Sequence, residues 1–454
     1  MAIYLQISSN LISIPLRFLL LTLLLGAPGL AFAAAAPSIS VIPERSSGIY
    51  QPGEKIIWTV KVNDDPTTIF KTAHYAAKFG DFKPLSEGIL TFGPGKETAT
   101  VEVTSTEPGA VLLVINTPDE PGRHGTWVVG GAIVAYDKIG LSVPCPDDFD
   151  AFWKSKLDQL HAIPPNPVLE KEDSGRAGVD YWKVTLDNIN GTHIRGQLAR
   201  PSGDKKLPAM LIMQYAGIYP LQKSWVTDRA AEGWLVLDIE PHDIPIDQPK
   251  DYYGSDAVKK AVSGYPVGGD NDRDTCYFLR VFLGDVQSTD YLAQRPDWDG
   301  KTLVATGGSQ GGWQSFATAA LDPKVTALVA CVPAGCDNSG ALAHRSPGWP
   351  FGITWGLTTP EHQQILKAIA YYDSANFASR IKCPALIGVG LLDNIAPATG
   401  VCAAFNQLQG PKELTIMMAD HEGHWNTQAA WNNRATAWRA AFLAGQPAPL
   451  IPNP

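Results

Sequence analysis

Cysteine is scarce in this chain. There are 6 among 454 residues, with no Cys-x-x-Cys pair and no His/Cys cluster at zinc spacing. That density excludes a disulfide-built scaffold and gives no ground for a zinc site, so no metal or other cofactor is expected. Cys331 and Cys336 flank an apolar loop and read first as small core residues. Basic runs are lacking too: Lys and Arg number 36 against 45 Asp and Glu, a net charge of −9. Without a basic footprint, a nucleic-acid or anionic-membrane partner is disfavoured. The chain has no internal repeat and no low-complexity tract. It also lacks a membrane-length apolar run near its start, where Phe18 to Leu25 is cut short by Gly26-Ala27-Pro28-Gly29. Arg17 before that run and Ala31-Phe32-Ala33 after it complete the pattern of a cleaved signal peptide, residues 1–33. The mature chain is therefore expected to be secreted or periplasmic, with no membrane attachment after cleavage.

Apolar residues make up 45% of the chain, enough for a large core. From Pro37 to Asp137 the pattern is β. Lys55 to Val62, Thr98 to Val103 and Ala110 to Ile115 partly alternate, and Gln51-Pro52-Gly53 and Gly93-Pro94-Gly95 mark turns. Short strands without an amphipathic helix predict a small immunoglobulin-like sandwich over 37–137. The connector Gly140 to Pro146 ends it. Asp147 to Ala162 then carries Phe149, Phe152, Trp153, Leu157 and Leu160 at helical intervals. Tyr181 to Leu186 and Ile194 to Ala199 read as an antiparallel pair. Buried strands are expected at Ala209 to Tyr215, Gly233 to Asp238, Val325 to Val332, Ala385 to Val389 and Leu414 to Met418, with helices between. That alternation predicts an α/β fold over 145–446, a largely parallel sheet covered on both faces.

One pentapeptide carries chemistry. Gly307-Gly308-Ser309-Gln310-Gly311 fits Gly-x-Ser-x-Gly, with a strand-like run before it and a helix-like run after it. This is the sharp turn that lifts a serine hydroxyl above the sheet of an α/β-hydrolase. A serine needs a base, and the base needs an acid to hold its tautomer. In this fold both follow the serine in chain order. Among the later histidines only His421 and His424 follow a late strand, and His421 sits first in that loop. Asp393 follows the run Ala385 to Gly390 and is the candidate acid, although an Asp there could equally cap a helix. The oxyanion donors are expected at the backbone N–H of Gln310 and in the loop Gln214 to Tyr219.

In order, Arg280-Val281-Phe282 with Asp285-Val286, the Gly307 to Gly312 turn, Cys331-Val332-Pro333, Tyr372 to Ala378, Gly390-Leu391-Leu392-Asp393-Asn394, Gly410-Pro411-Lys412-Glu413 and His421-Glu422-Gly423 resemble carbohydrate esterase family 7, the acetyl xylan esterase and cephalosporin C deacetylase family. The resemblance spans Cys145 to Leu443. It implies an α/β-hydrolase that removes acetyl groups from xylan-type oligosaccharides through an acetyl-serine. Ser309 would be nucleophile, Asp393 acid, His421 base, and Gln310 and Ile218 the oxyanion donors. Its partner would be an acetylated carbohydrate, and the extra β domain leaves a homo-oligomer open. Tyr215, Trp313 and Trp425 are candidates for contact with the sugar, as are Trp349 and Trp355. The chain departs from the family at Ile239-Glu240-Pro241-His242-Asp243, where Arg-Gly-Gln is usual. Arg195-Gly196-Gln197 stands on an earlier strand and reads as coincidence. Two other readings accompany this one: a peptidase or longer-chain esterase on the same fold, and a carbohydrate-binding protein with a decayed site.

Overall fold

The computed structural model describes residues 39–62, 71–80, 83–118, 125–350, 359–424 and 427–454. The expected signal peptide and the candidates Trp355 and Trp425 lie outside them. Residues Pro37–Pro454 form one compact unit.

Eight strands come first: β1 (Ile39–Pro43), β2 (Ile49–Tyr50), β3 (Lys55–Val62), β4 (Thr72–Phe79), β5 (Lys83–Thr91), β6 (Thr98–Thr104), β7 (Gly109–Asn116) and β8 (Trp127–Val134). They make two sheets, ordered β1-β3-β6 and β2-β8-β7-β4-β5. Period-two alternation does the sorting. In β3, Ile56, Trp58, Val60 and Val62 are buried while the residues between them are not. Those side chains share one apolar core with Ala73, Val111 and Leu113 of the other sheet.

The remainder is α/β. Helix α1 (Phe149–His161) precedes β9 (Val168–Glu172), β10 (Val179–Asp187), β11 (His193–Pro201) and β12 (Leu207–Met213). Then come α2 (Ser224–Glu232), β13 (Leu235–Glu240), α3 (Asp256–Ala261), α4 (Tyr277–Gln294), β14 (Trp298–Gly308), α5 (Gln310–Leu321) and β15 (Ala327–Cys331). Last are α6 (Pro360–Ile369), α7 (Ser374–Ala378), β16 (Ala385–Gly390), α8 (Ala398–Gln407), β17 (Lys412–Met417) and α9 (Ala429–Leu443). Nine strands form one sheet in the order β17-β16-β15-β14-β12-β13-β11-β10-β9. The pairs from β13 through β12 to β17 are parallel, whereas β9, β10 and β11 run antiparallel. Every residue of β13 and β16 is buried, as a parallel sheet covered on both faces requires.

From β12 the chain winds to β13 on one side and to β14 on the other. That reversal is the switch point of a doubly wound sheet, where a crevice opens at the carboxyl ends of the strands. Helix α4 runs behind it. Its Phe278, Val281, Phe282 and Val286 are buried as the helical spacing predicts, and Arg280 and Asp285 lie on the same helix.

Strand β9 was not expected from the sequence. All five of its residues are exposed, so its pattern has no apolar face to read.

The β-rich region packs directly on the site-bearing loops. A Cβ at Gly131 of β8 would stand 2.6 Å from the Leu391 carbonyl oxygen, and one at Gly48 would stand 2.4 Å from Leu391 Cδ1. No helix among the described residues is long and apolar enough to cross a membrane.

Candidate active site

Ser309 follows β14 directly and holds φ 55°, ψ −121°. For a residue with a Cβ this costs about 1–3 kcal/mol and persists only where neighbours enforce it. Here they do. The Ser309 N–H donates to the Cys331 carbonyl at 3.0 Å, and the Ser309 carbonyl accepts from Ala334 N at 2.9 Å and Trp313 N at 3.1 Å. The turn needs glycine at its crossing point, since a Cβ on Gly311 would lie 2.0 Å from the Met213 carbonyl oxygen.

The loops after β14, β16 and β17 converge on this hydroxyl. His421 Nε2 lies 2.8 Å from Ser309 Oγ, and His421 Nδ1 lies 2.7 Å from Asp393 Oδ2. The other Asp393 oxygen accepts from Ile395 N at 2.8 Å and Ala396 N at 2.7 Å. Asp393 therefore both turns its own loop and orients the imidazole. With Nδ1–H donated to a carboxylate, Nε2 is left as acceptor for the serine proton. His424 goes elsewhere: Nδ1 meets Asp420 Oδ2 at 2.6 Å on the surface.

The Gln310 N–H opens α5, where the helix presents its positive end. The loop after β12 turns through Gly217 at φ 129°, immediately before Ile218. This second loop is held by a web of polar groups. Gly217 N–H donates to Tyr265 Oη at 3.0 Å, and Tyr265 donates to Gln310 Oε1 at 2.6 Å. Gln310 Nε2 continues to Gln314 Oε1 at 3.1 Å, and Gln314 Nε2 to Asp285 Oδ1 at 3.0 Å. Burial pushes the Asp285 carboxyl well above its usual range.

The stretch 239–243 that departs from the family pattern, with Ile239, Glu240 and His242 buried, supports the same loop. Glu240 accepts from His242 N at 2.8 Å and Ile244 N at 3.3 Å, and burial raises its carboxyl to about 8. Asp238 is held by Gln197 Nε2 at 2.8 Å and by Gln214, with burial raising it to about 7. Arg195 Nε meets Asp243 Oδ1 at 2.9 Å. Arg195 and Gln197, which the sequence reading set aside, thus secure both ends of the altered stretch. Antiparallel pairing of β11 with β13 explains why, since Arg195 faces Glu240 and Gln197 faces Asp238 in register.

The aromatic candidates separate. Tyr215 is 39% exposed at the crevice loop and stacks on Tyr219 with centroids 4.6 Å apart. Trp313 is corrected to a core residue. It is 2% exposed, its indole N–H donates to the Tyr372 carbonyl at 2.5 Å, and Phe278 and Phe282 cover it. Trp349 is half-buried against Tyr265 and Phe278. Tyr265 and Tyr277 have no signal in the sequence, and His242 shows only as a member of the departing stretch, because a buried His or Tyr carries no local pattern.

All six cysteines are free thiols. Among the described residues no group of His, Cys, Asp and Glu could hold a metal ion.

Residues 140–441 match the family described as acetyl xylan esterase (AXE1). The chain is similar to the acetyl esterase Axe7A of Xylanibacter ruminicola, at 34% identity over 331 residues, 70% of this chain and 74% of the relative. Among solved structures it is similar to an acetyl xylan esterase from a Paenibacillus species, with TM-score 0.57 and 23% identity over 66% of this chain and 98% of the other. An acetyl xylan esterase from a Thermoanaerobacterium species aligns with TM-score 0.57 and 22% identity over 67% and 96%. A family match over most of the chain, joined to a relative above 30% identity, assigns the chain to the acetyl xylan esterase family.

Proposed function

We propose that this protein is a serine esterase that removes acetyl groups from acetylated xylan-type oligosaccharides. The observation that carries the reading is the continuous hydrogen-bonded run Asp393–His421–Ser309 at the carboxyl edge of the sheet. Ser309 Oγ attacks the acetyl carbonyl while its proton passes to His421 Nε2. The oxyanion forms against the N–H groups of Gln310 and Ile218. On collapse the bond to the sugar oxygen breaks, and His421 returns the proton to that oxygen. Water, deprotonated by His421, then splits the acetyl-serine and releases acetate. Asp393 holds the imidazole tautomer throughout and stabilises the imidazolium.

Exposed Tyr215, backed by Tyr219, is the surface proposed to lie under a sugar ring. The region 37–137 is proposed as an immunoglobulin-type sandwich preceding a catalytic domain at 145–446. Support comes from strand order: β2 leaves the β1 sheet and pairs parallel with β8 in the other. Export with removal of residues 1–33 is proposed from the leader pattern, and a mature N-terminus at Ala34 would test it.

The function is tested by acetate release from acetylated xylo-oligomers beside acetylated non-xylan sugars, with 4-nitrophenyl acetate and butyrate as simple esters. Turnover falling sharply beyond acetyl, and abolished in Ser309→Ala, is expected. Equal rates on acetate and butyrate would turn the reading to a general short-chain esterase, and no turnover to a binding protein.

A further inference from the structure

The Gly217 carbonyl and the Ile218 N–H belong to one peptide unit. In a trans peptide these two groups point in opposite directions, so whatever holds the oxygen also aims the N–H. The group that holds it is His242, whose Nε2 lies 3.1 Å from Gly217 O. A carbonyl only accepts, so Nε2 carries the proton. At the other ring nitrogen, Nδ1 meets Tyr277 Oη at 2.7 Å, and Arg280 Nη2 donates to that same Tyr277 oxygen at 2.6 Å. The Tyr277 hydrogen is thereby directed to Nδ1, which accepts it. Burial lowers the ring to about 4, in keeping with a neutral imidazole.

Seen whole, the donors run in one direction. They pass from Arg280 through Tyr277 and His242 to the Gly217 carbonyl. They resume at the Gly217 N–H and pass through Tyr265, Gln310 and Gln314 to Asp285. Both ends are on α4, a helix buried along most of its length. The run fastens the Gly217 loop and the Gln310 side chain to one rigid element. Those are the segments whose N–H groups face the reacting carbonyl in the proposed chemistry.

We infer that His242 is a positioning residue for the oxyanion site: by holding the Gly217 carbonyl it aims the Ile218 N–H at the developing oxyanion. The inference rests on Ser309 being the nucleophile. It assigns a task to the stretch where the chain parts from its family pattern.

The test compares His242→Leu, His242→Gln and Tyr265→Phe with the wild type on 4-nitrophenyl acetate. An alkylboronic acid, whose serine adduct is tetrahedral, serves as oxyanion probe. Misaiming one donor is expected to lower kcat about 10- to 100-fold in His242→Leu, less than the loss from deleting a donor outright. KM should stay within about threefold, and boronate inhibition should weaken in parallel with kcat. A Gln amide reaches the same carbonyl with one N–H, so His242→Gln should recover most of the loss. Should His242→Leu fail to fold, Tyr265→Phe, which removes one hydroxyl from the same run, carries the test with the same expected kcat and boronate pattern. Folded variants with wild-type kcat and boronate affinity would overturn the inference, as would a loss confined to KM. Ser309→Ala separates the two levels. If it still turns over, the nucleophile assignment fails; if it is dead while folded His242 and Tyr265 variants are fully active, only the positioning role fails.

Discussion

Replacing Asp393 with Asn alters one atom of a carboxylate whose two oxygens have different duties. One oxygen accepts two backbone N–H groups, Ile395 at 2.8 Å and Ala396 at 2.7 Å. The other accepts the His421 Nδ1 proton at 2.7 Å. An amide nitrogen cannot accept, so the two backbone donors keep the Asn oxygen on their side. The NH₂ group must then face His421 and donate to Nδ1. That forces the imidazole proton onto Nε2, where it points at Ser309 Oγ instead of accepting from it. The base is lost without any change of shape. A tautomer trap of this kind costs about 10⁴-fold in kcat, equivalent to about 5 kcal/mol of transition-state stabilisation. Steady-state hydrolysis of 4-nitrophenyl acetate at neutral pH, with denaturant unfolding to check stability, measures it. A folded Asp393→Asn enzyme retaining more than about a tenth of wild-type kcat would refute the tautomer argument.

Other perturbations reach the supports around the site. Gly311→Ala places a Cβ 2.0 Å from the Met213 carbonyl oxygen, backbone that cannot step aside, and should destabilise by at least about 3 kcal/mol in denaturant unfolding. Gly131→Leu drives a side chain from the β-rich region into the Leu391 carbonyl and Leu392, the pair of residues that precedes Asp393. Its kcat should fall about tenfold or more in folded protein; unchanged kcat would mean that this contact does not govern the acid loop. Burial raises Glu240 to about 8, so the native state holds a proton that the unfolded chain releases above about 4.5. Its contribution is therefore present below that pH and lost as pH rises towards 8. Glu240→Gln should gain Tm relative to the wild type between pH 5 and pH 8 and level off above, whereas a constant difference in Tm would contradict the shift.

Local pattern located much of the scaffold. The parallel strands announced themselves because burial on both faces leaves unbroken apolar runs, as in β16. Helix α1 was visible in the spacing of Phe149, Phe152, Trp153 and Leu160, all of which are buried. The serine turn and the order serine, acid, base singled out three side chains that the fold links through His421, 2.8 Å from Ser309 and 2.7 Å from Asp393. Trp313 shows where such reading ends. As a tryptophan it was a candidate for stacking on a sugar, but α5 directs it inward onto Phe278 and Phe282.

What the sequence determined by itself is whatever depends on neighbours along the chain: the strained serine turn, the periodicity of each element, and the order in which reactive residues arrive. Only the tertiary structure could decide that His242, Tyr265 and Tyr277 meet around Gly217, or that Arg195 and Gln197 brace a strand some forty residues later. Hydrogen bonds across a sheet or between loops are set by register and burial, and neither leaves a mark in the spacing of the residues that make them.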